Sequence, residues 1–326
     1  MKVFVTGSTG FLGRYTVRAL LDAGHDVAAL VRPSREIPEE FSQRGIEAVR
    51  GDLRRPGPEI REAAAGADAV LHLAVGVGGW RAAFEGTVLG TERLLDGLRE
   101  AGWSGRFVTV SSFSVYGLNQ IAPGSVVDET TPVEPAPERR DDYAWTKVIQ
   151  EDLVRRFGEE GPASATIVRP GPIYGREASF PSRAGRRVAN VVAVFGGSVP
   201  MPMVYVENVA SLLVAAAENP AAGGEIFNAV DPDPPTQWRY VRRWAGAQAR
   251  RPLMIPLPIF LLRGFGLAMV LLGRLTGGRV GPPMVLTPYV MDPQWRRWSY
   301  DVSKPARVLG WSPPVAPEEA LRRTFD

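Results

Sequence analysis

Tyr143 and Lys147 stand four residues apart in the run Asp142-Tyr143-Ala144-Trp145-Thr146-Lys147. On a helix that spacing places both side chains on one face. An ammonium beside the phenol stabilises the phenolate and lowers the tyrosine pKa from about 10. The phenol can then exchange a proton with a carbonyl or alcohol oxygen. A second segment, Val110-Ser111-Ser112-Phe113-Ser114-Val115-Tyr116-Gly117, offers Ser112 as a hydroxyl to hydrogen-bond the same oxygen and fix its position. Tyr-x-x-x-Lys is common by chance, so its weight depends on its surroundings.

Those surroundings begin at the amino terminus. The run Val5-Thr6-Gly7-Ser8-Thr9-Gly10-Phe11-Leu12-Gly13 follows a strand-like segment and opens a helix-like one. Gly7 suits a tight turn, Gly10 lets backbone approach a diphosphate, and Gly13 lets the helix pack closely on the sheet. Thr9, Phe11 and Leu12 lie in the same turn and are expected among the cofactor contacts. Backbone N–H groups at the helix start then meet the negative charge. A dinucleotide here would carry a hydride while Ser112, Tyr143 and Lys147 handle proton and geometry, with Lys147 also holding the nicotinamide ribose.

The end of the second strand bears on cofactor choice. A site for NAD usually places Asp or Glu there to accept from the adenosine ribose. Here the run is Leu30-Val31-Arg32-Pro33-Ser34-Arg35, with no carboxylate. Arg32, joined by Ser34 or Arg35, suits a 2′-phosphate, so NADP(H) is favoured over NAD(H). Asp52 follows the third strand, placed to accept from the adenine amino group with Leu53 covering the ring; a plain loop cap is the alternative. His72, inside Leu71-His72-Leu73-Ala74, reads as a satisfied structural histidine, and Ala74 leaves room for the cofactor.

Along the chain, strand-like runs at 2–6, 27–31, 47–50, 69–74, 106–111 and 165–169 alternate with helical segments, among them 11–23, 87–98 and the one holding Lys147 and Leu153. Such alternation predicts an α/β fold, a Rossmann-type doubly wound parallel sheet, with ligands at the carboxyl ends of the strands. Residues 170–203 are rich in Gly, Pro and Arg and are expected to leave the sheet. A strand at 203–205, a helix at 207–218 and a strand at 225–228 follow, and a helix begins near Pro317. The dinucleotide domain is expected over 1–170, with 203–230 returning to it. A smaller carboxyl-terminal substrate lobe takes 171–202 and 231–326.

Composition narrows the chemistry. The chain has 326 residues, 45% of them hydrophobic, enough for a sizeable core. It has no Cys and two His. Disulfides and thiolate chemistry are excluded, and a zinc site is not expected. The 38 basic against 35 acidic residues are too even a balance to argue for nucleic acid. No signal peptide is visible, and a cytoplasmic location is expected. The apolar segment from Met254 to Leu275 is interrupted by Arg263, glycines and prolines, and falls short of the roughly 18–20 residues of a spanning helix. It reads as a buried helix of the substrate lobe; peripheral membrane contact or a dimer surface is not favoured.

Taken together, the motifs resemble the extended short-chain dehydrogenase/reductase family. That group also holds nucleotide-sugar epimerases and dehydratases, dihydroflavonol-type reductases and 3β-hydroxysteroid dehydrogenases. TGSTGFLG is similar to its glycine motif, GDL to its adenine-side motif, HLA to its fourth-strand motif, and SSFSVYG and YAWTK to its serine and Tyr/Lys segments. RPGPIYG, VYVENVASLLVAAAE and the stretch YDVSKPARVLGWSPPVAPEEALRRTF extend the likeness over nearly the whole chain. The resemblance implies Tyr143 as general acid/base, Lys147 as its modulator and Ser112 as orienter of the substrate oxygen. It implies that Pro170, Gly171 and Ile173 line the nicotinamide, and that the chain is a homodimer through helices near 87–99 and 143–157. Thr87 stands where the family run usually begins with Asn, which weakens the case for an ordered proton-relay water.

Three readings follow. The first is an NAD(P)-dependent oxidoreductase acting on a carbonyl or alcohol of a fairly apolar small molecule, held by Trp238, Trp244, Ile259, Phe260, Phe265, Leu267 and Met269 of the second lobe. The second is a nucleotide-sugar epimerase, less favourably a dehydratase, whose substrate diphosphate would meet Arg176, Arg183, Arg186 and Arg187. The third is a non-catalytic dinucleotide-binding protein, against which the intact Tyr143 and Lys147 argue.

Overall fold

The computed structural model describes residues 1–180, 184–277 and 286–326, the side chain of Asp292 excepted; Arg183 lies outside the described residues. Seven strands run parallel in one sheet: β1 (Lys2–Thr6), β2 (Asp26–Val31), β3 (Glu47–Arg50), β4 (Ala69–His72), β5 (Arg106–Val110), β7 (Ser164–Pro170) and β12 (Ile226–Ala229). Their order is β12-β7-β5-β4-β1-β2-β3. The doubly wound α/β sheet expected from the alternating pattern is therefore present.

Side chains on a strand alternate between faces, and β1 uses both. Val3 and Val5 join a layer with Val17 and Leu20 of α1 (Phe11–Asp22), Phe41 of α2 (Glu39–Gln43), and Val209 and Leu212 of α7 (Val206–Glu218). Phe4 joins the opposite layer, with Ile60 of α3 (Pro58–Ala65), Leu94, Leu95 and Leu98 of α5 (Gly90–Glu100), and Phe157 of α6 (Asp142–Glu160). Helices thus cover both faces of strands that are apolar on both faces. The strand order reverses at β1, which pairs with β2 on one side and β4 on the other. That is where a crevice opens at the carboxyl ends.

Two expected elements are altered. β4 ends at His72 rather than running to Ala74, because the chain turns out through Gly76, Gly78 (φ +111°) and Gly79 (φ +87°). The helix expected over 87–98 begins earlier and in pieces. A short α4 (Trp80–Ala83) passes into a π-helical turn, Phe84–Leu89, and only then into α5. The widened turn carries Thr87, whose Oγ1 accepts from the Gly76 N–H (2.9 Å).

Outside the seven-stranded sheet the strands are short, most of them in the lobe proposed for substrate. β6 (Val126–Val127) pairs with β14 (Ser299–Tyr300), and β8 (Ile173–Tyr174) with β11 (Val204–Tyr205). β9 (Gly185–Val188), β10 (Val191–Phe195) and β13 (Leu253–Leu257) form a three-stranded sheet. Around them lie α8 (Gln237–Gly246), α9 (Ile259–Leu275), α10 (Pro288–Trp295) and α12 (Pro317–Phe325), while α11 (Lys304–Leu309) packs against β12 and α7 of the large sheet. Tyr174, Met203, Tyr240, Trp244 and Leu321 make the core of the smaller lobe. A buried polar knot joins this lobe to the sheet. The Asp231 carboxylate accepts from the Tyr174 hydroxyl, the Tyr205 N–H and the Asn208 amide, and Asn208 also exchanges two bonds with the Val315 backbone. Burial nevertheless pushes the Asp231 carboxyl up from the usual range.

The reading of 254–275 as a buried helix is overturned. In α9 only Gly266 is buried, while Phe260, Leu261, Phe265, Leu267, Leu271, Leu272 and Leu275 are exposed. An apolar sequence all round reads as a core helix, but α10 and the backbone of Leu286 cover one narrow side of this one.

Candidate active site

A cleft of about 480 Å³ runs along the carboxyl ends of β1, β4, β5 and β7. It brings together Gly7, Gly10, Phe11, Leu12, Gly13, Ser112, Tyr143, Lys147, Pro170 and Ile173 of the residues singled out from sequence. Thr9, Arg32, Asp52, Leu53 and Ala74 lie outside its lining.

The glycine turn has the shape a diphosphate needs. Gly7 has φ +69°, and a Cβ there would lie 2.7 Å from the Leu73 carbonyl carbon. A Cβ on Gly13 would lie 2.0 Å from the Gly7 oxygen, so only glycine lets α1 sit this close to the strand end. Gly10 caps α1 without a side chain, leaving its first-turn N–H groups for an anion. Ser111 Oγ, in the cleft wall, is buried without a hydrogen-bond partner among the described residues. These features fit a bound dinucleotide.

The adenine side is less simple. Asp52 is held by Arg54, through its Nε, NH2 and backbone N–H, at 2.6–3.1 Å. That guanidinium keeps the carboxyl below its ordinary range. This is the loop-cap geometry left open as the alternative. Leu53 is buried in the core rather than presented to the cleft. Beyond β2, Thr9, Ser34, Arg35 and Glu36 border a separate open cavity of about 690 Å³. Arg32 is exposed beside it, and the Arg50 guanidinium donates to the Arg32 and Arg35 carbonyls, fixing the loop. Ala74 is half-buried, its N–H donating to Thr6 Oγ1 (3.3 Å).

At the chemical end, Asp141 caps α6 by accepting from the Ala144 N–H at 2.7 Å, which starts the helix one turn before Lys147. Tyr143 is partly exposed, and Lys147 Nζ lies 5.9 Å from its ring centre. Ser112 closes β5 and accepts from the Ser114 N–H at 3.1 Å. The Lys147 ammonium is buried and donates to the Val110 carbonyl (2.7 Å) and Gln150 Oε1 (2.8 Å). An ammonium has three hydrogens, so one is left for a ligand. Burial pulls this ammonium down to about 8, with Glu151 acting in the opposite direction.

Behind Lys147 runs a buried chain that sequence reasoning missed. Gln150 Nε2 donates to Thr91 Oγ1 (2.8 Å), and the Thr91 hydroxyl donates to the Thr87 carbonyl (2.5 Å). With its one hydrogen spent, Thr91 Oγ1 is an acceptor from His72 Nε2 as well (2.8 Å). His72 is then protonated on Nε2, and its Nδ1 accepts from the Thr6 hydroxyl (2.8 Å). Burial, then the charge of Lys147, pulls His72 down to about 3, so it is neutral. The structural role expected for His72 is thereby specified: it links the strand end below Gly7 to the support of Lys147. The available signal was Gln150, three residues after Lys147 and so on the same helix face. Next to this chain Glu151 holds Arg169 in a buried two-bonded pair at 2.9 and 2.6 Å.

Three expectations about the substrate side change. Among the described residues, the cleft's apolar walls are Leu73, Val75, Phe113, Pro172 and Phe180. None of Trp238, Trp244, Ile259, Phe260, Phe265, Leu267 or Met269 lines it: Trp244 is buried against Phe180, while Phe260, Phe265 and Leu267 face outward. Arg176, Arg186 and Arg187 are exposed and also line no part of it; Arg187 stacks 5.5 Å from the Trp244 ring. Thr87, in place of the expected amide, is buried and engaged with the Gly76 backbone. A smaller adjoining cavity of about 60 Å³ shares Phe113 and Pro172 with the cleft and is closed by Met201, Gln237, Gln294 and Tyr300. No group of residues suited to a metal ion occurs among the described residues.

Known proteins place the chain in a family. Residues 3–229 match the profile of the family described as "NAD dependent epimerase/dehydratase family". A 2-alkyl-3-oxoalkanoate reductase of Stenotrophomonas maltophilia is 28% identical over 99% of this chain and 98% of its own length. A 4-hydroxy-2-methyl-3-oxo-4-farnesyl-3,4-dihydroquinoline-1-oxide ketoreductase of Stigmatella aurantiaca is 33% identical over 72% of this chain and 69% of its own. The UDP-glucose 4-epimerase of Thermus thermophilus, solved with NAD, shares the fold at a TM-score of 0.72 and 23% identity, over 100% of this chain and 98% of that one. With the glycine turn, the Ser/Tyr/Lys constellation and the seven-stranded sheet in place, the chain belongs to the NAD dependent epimerase/dehydratase family and is an NAD(P)-dependent oxidoreductase of the extended short-chain dehydrogenase/reductase type.

Proposed function

We propose that this enzyme is an NADP(H)-preferring carbonyl reductase or alcohol dehydrogenase acting on a fairly apolar small molecule. The observation that carries the reading is the composition of the cleft. Ser112 and Tyr143 share it with Leu73, Val75, Phe113 and Phe180, and among the described residues the only cation in its lining is Lys147. Apolar walls hold an apolar ligand at little cost and a sugar diphosphate at great cost. The named activities of the two reductase relatives point the same way. The epimerase reading is disfavoured because Arg176, Arg186 and Arg187 lie away from the cleft.

The nicotinamide, when bound, supplies or accepts the hydride. Ser112 donates its hydroxyl to the substrate oxygen and orients it. Tyr143 gives or takes the proton at that oxygen. Lys147, fixed by Val110 and Gln150, uses its third hydrogen on a ribose hydroxyl and its charge on the Tyr143 phenolate. Phe11, Leu12, Pro170 and Ile173 enclose the cofactor, and Ala74 leaves room for its backbone, while Asp52, tied to Arg54, and the buried Leu53 shape the loop behind it. Arg32, with Ser34 and Arg35, meets the 2′-phosphate. A homodimer through α5 and α6 belongs to the same reading.

The test pairs binding with turnover. Calorimetry should give tighter binding of NADPH than NADH, and Arg32→Ala should narrow the gap; equal affinities in the native protein would remove the phosphate assignment. Apolar ketones should be turned over with consumption of the reduced cofactor. Conversion of UDP- or dTDP-sugars without net cofactor change would replace this reading with the epimerase one.

A further inference from the structure

We infer that α9 is a docking surface for an anionic lipid bilayer, lying flat in its interface. At about 100° per residue, Leu262, Gly266, Met269, Val270 and Gly273 fall on one narrow side, and these residues are buried or half-buried. The opposite side presents Phe260, Leu261, Phe265, Leu267, Leu271 and Leu275, with Phe260 70% and Leu275 77% exposed. No charge interrupts that arc. Arg263 and Arg274 lie about three turns apart and share one border between the two sides, both exposed. This is the layout of an interfacial helix: an apolar face pointing away from the protein, with long cationic side chains at its edge that reach back to headgroups.

The charge pattern selects the sign of the surface. Between Asp233 and Asp292 the sequence holds eight arginines and neither Asp nor Glu. Arg239 and Arg243 meet Glu318 from the carboxyl-terminal helix α12, but the stretch itself supplies no anion. A second copy seated on the same face would set the same arginine-rich, acid-free stretch against this one, like charge against like. Anionic headgroups offer the complement. The helix has 17 residues, and none among the described residues is long and apolar enough to cross a membrane, so the contact is in the plane of the surface. Upstream, β13 adds Leu253 and Ile255, exposed on one face of its strand.

The placement also suits an apolar substrate, a point that rests on the carbonyl reductase reading where the docking itself does not. α10 packs on α9 and gives Pro293 and Gln294 to the smaller cavity beside the cleft. A bilayer against α9 therefore lies one helix from that cavity.

The experiment is co-sedimentation of the full chain with vesicles of phosphatidylcholine alone or mixed with phosphatidylglycerol, at low and high salt. Native protein should sediment at least about tenfold more with the mixed vesicles, and salt should reduce the difference. Leu267→Glu/Leu271→Glu should lose at least about tenfold of that binding, and Arg263→Gln/Arg274→Gln should lose the preference for anionic lipid. Both variants should bind NADPH like the native protein and keep its sedimentation coefficient without vesicles, which reports folding and assembly. Absence of native binding, equal binding to both vesicle types, or a change of oligomeric state in the glutamate variant would overturn the proposal, the last in favour of a second copy.

Discussion

The wall of the cleft made by β1, β4 and α6 is held by hydrogen bonds that each have one allowed direction. At Phe180, the side chain that the second lobe turns to the cleft, the opposite wall is held by apolar contact. In the first, Lys147, Gln150, Thr91, His72 and Thr6 form a chain in which exchanging any donor for an acceptor leaves a buried group unpaired. In the second, Phe180 rests on Trp244 at 4.6 Å, and contacts of this kind tolerate volume-conserving exchange. The contrast assigns chemistry to the rigid wall and substrate choice to the adaptable one. Changes in the first should act on rate and folding, and changes in the second on affinity.

The largest expected effect is on stability. Glu151→Ala leaves Arg169 buried without its counter-charge and should cost about 3–5 kcal/mol, read from the denaturant midpoint. The matching change in the second lobe, Arg239→Ala, opens an exposed pair with Glu318 and should cost under about 1 kcal/mol. Equal costs would break the comparison. Next comes Gly13→Ala, whose methyl meets the Gly7 carbonyl. Displacing the turn should weaken calorimetric NADPH binding by about 100-fold, and an unchanged affinity would remove the diphosphate assignment.

A paired kinetic experiment sharpens the division of labour. Gln150→Ala frees Lys147 on one side and should lower kcat about tenfold with little change in KM. Phe180→Ala removes part of the apolar wall and should raise KM about tenfold with little change in kcat. The reverse pattern would exchange the roles of the two walls.

The rigid side also carries a pH dependence. His72 is held near 3 in the folded protein against an ordinary value of 6.5. Between those values the unfolded chain binds more protons, so stability falls as pH is lowered through that window. Thermal scans should show a shallower decline for His72→Gln than for the native protein over the same range. Lys147, held near 8 against 10.5, works at the other end. There too the unfolded chain binds more protons, so this group makes stability rise with pH between the two values. The same titration removes its positive charge, and NADPH affinity should weaken above about pH 8, with no such step in Lys147→Met.

Legibility from sequence followed the same divide. The seven strands, the glycine turn and the Tyr143/Lys147 pair are local patterns, in which neighbouring residues carry the whole signal. Gln150 was within reach by helical spacing, but its partner Thr91 comes from another helix and could not be paired in advance. The second lobe defeated the reading because its cleft wall is assembled from distant segments. Trp244 and Phe180 are 64 positions apart and only the fold decides that one is core and the other wall. α9 misled for a physical reason: hydropathy reports that a helix prefers to avoid water, not whether protein or another apolar phase covers it.

The measurement closest to the central claim compares native protein with Tyr143→Phe in single-turnover reduction of an apolar ketone by NADPH, following the absorbance of the reduced nicotinamide. Loss of the phenolic proton should slow the step by about 10²–10⁴-fold, while calorimetric NADPH affinity stays unchanged. A variant that reduces the ketone at the native rate would contradict the proton route through Tyr143.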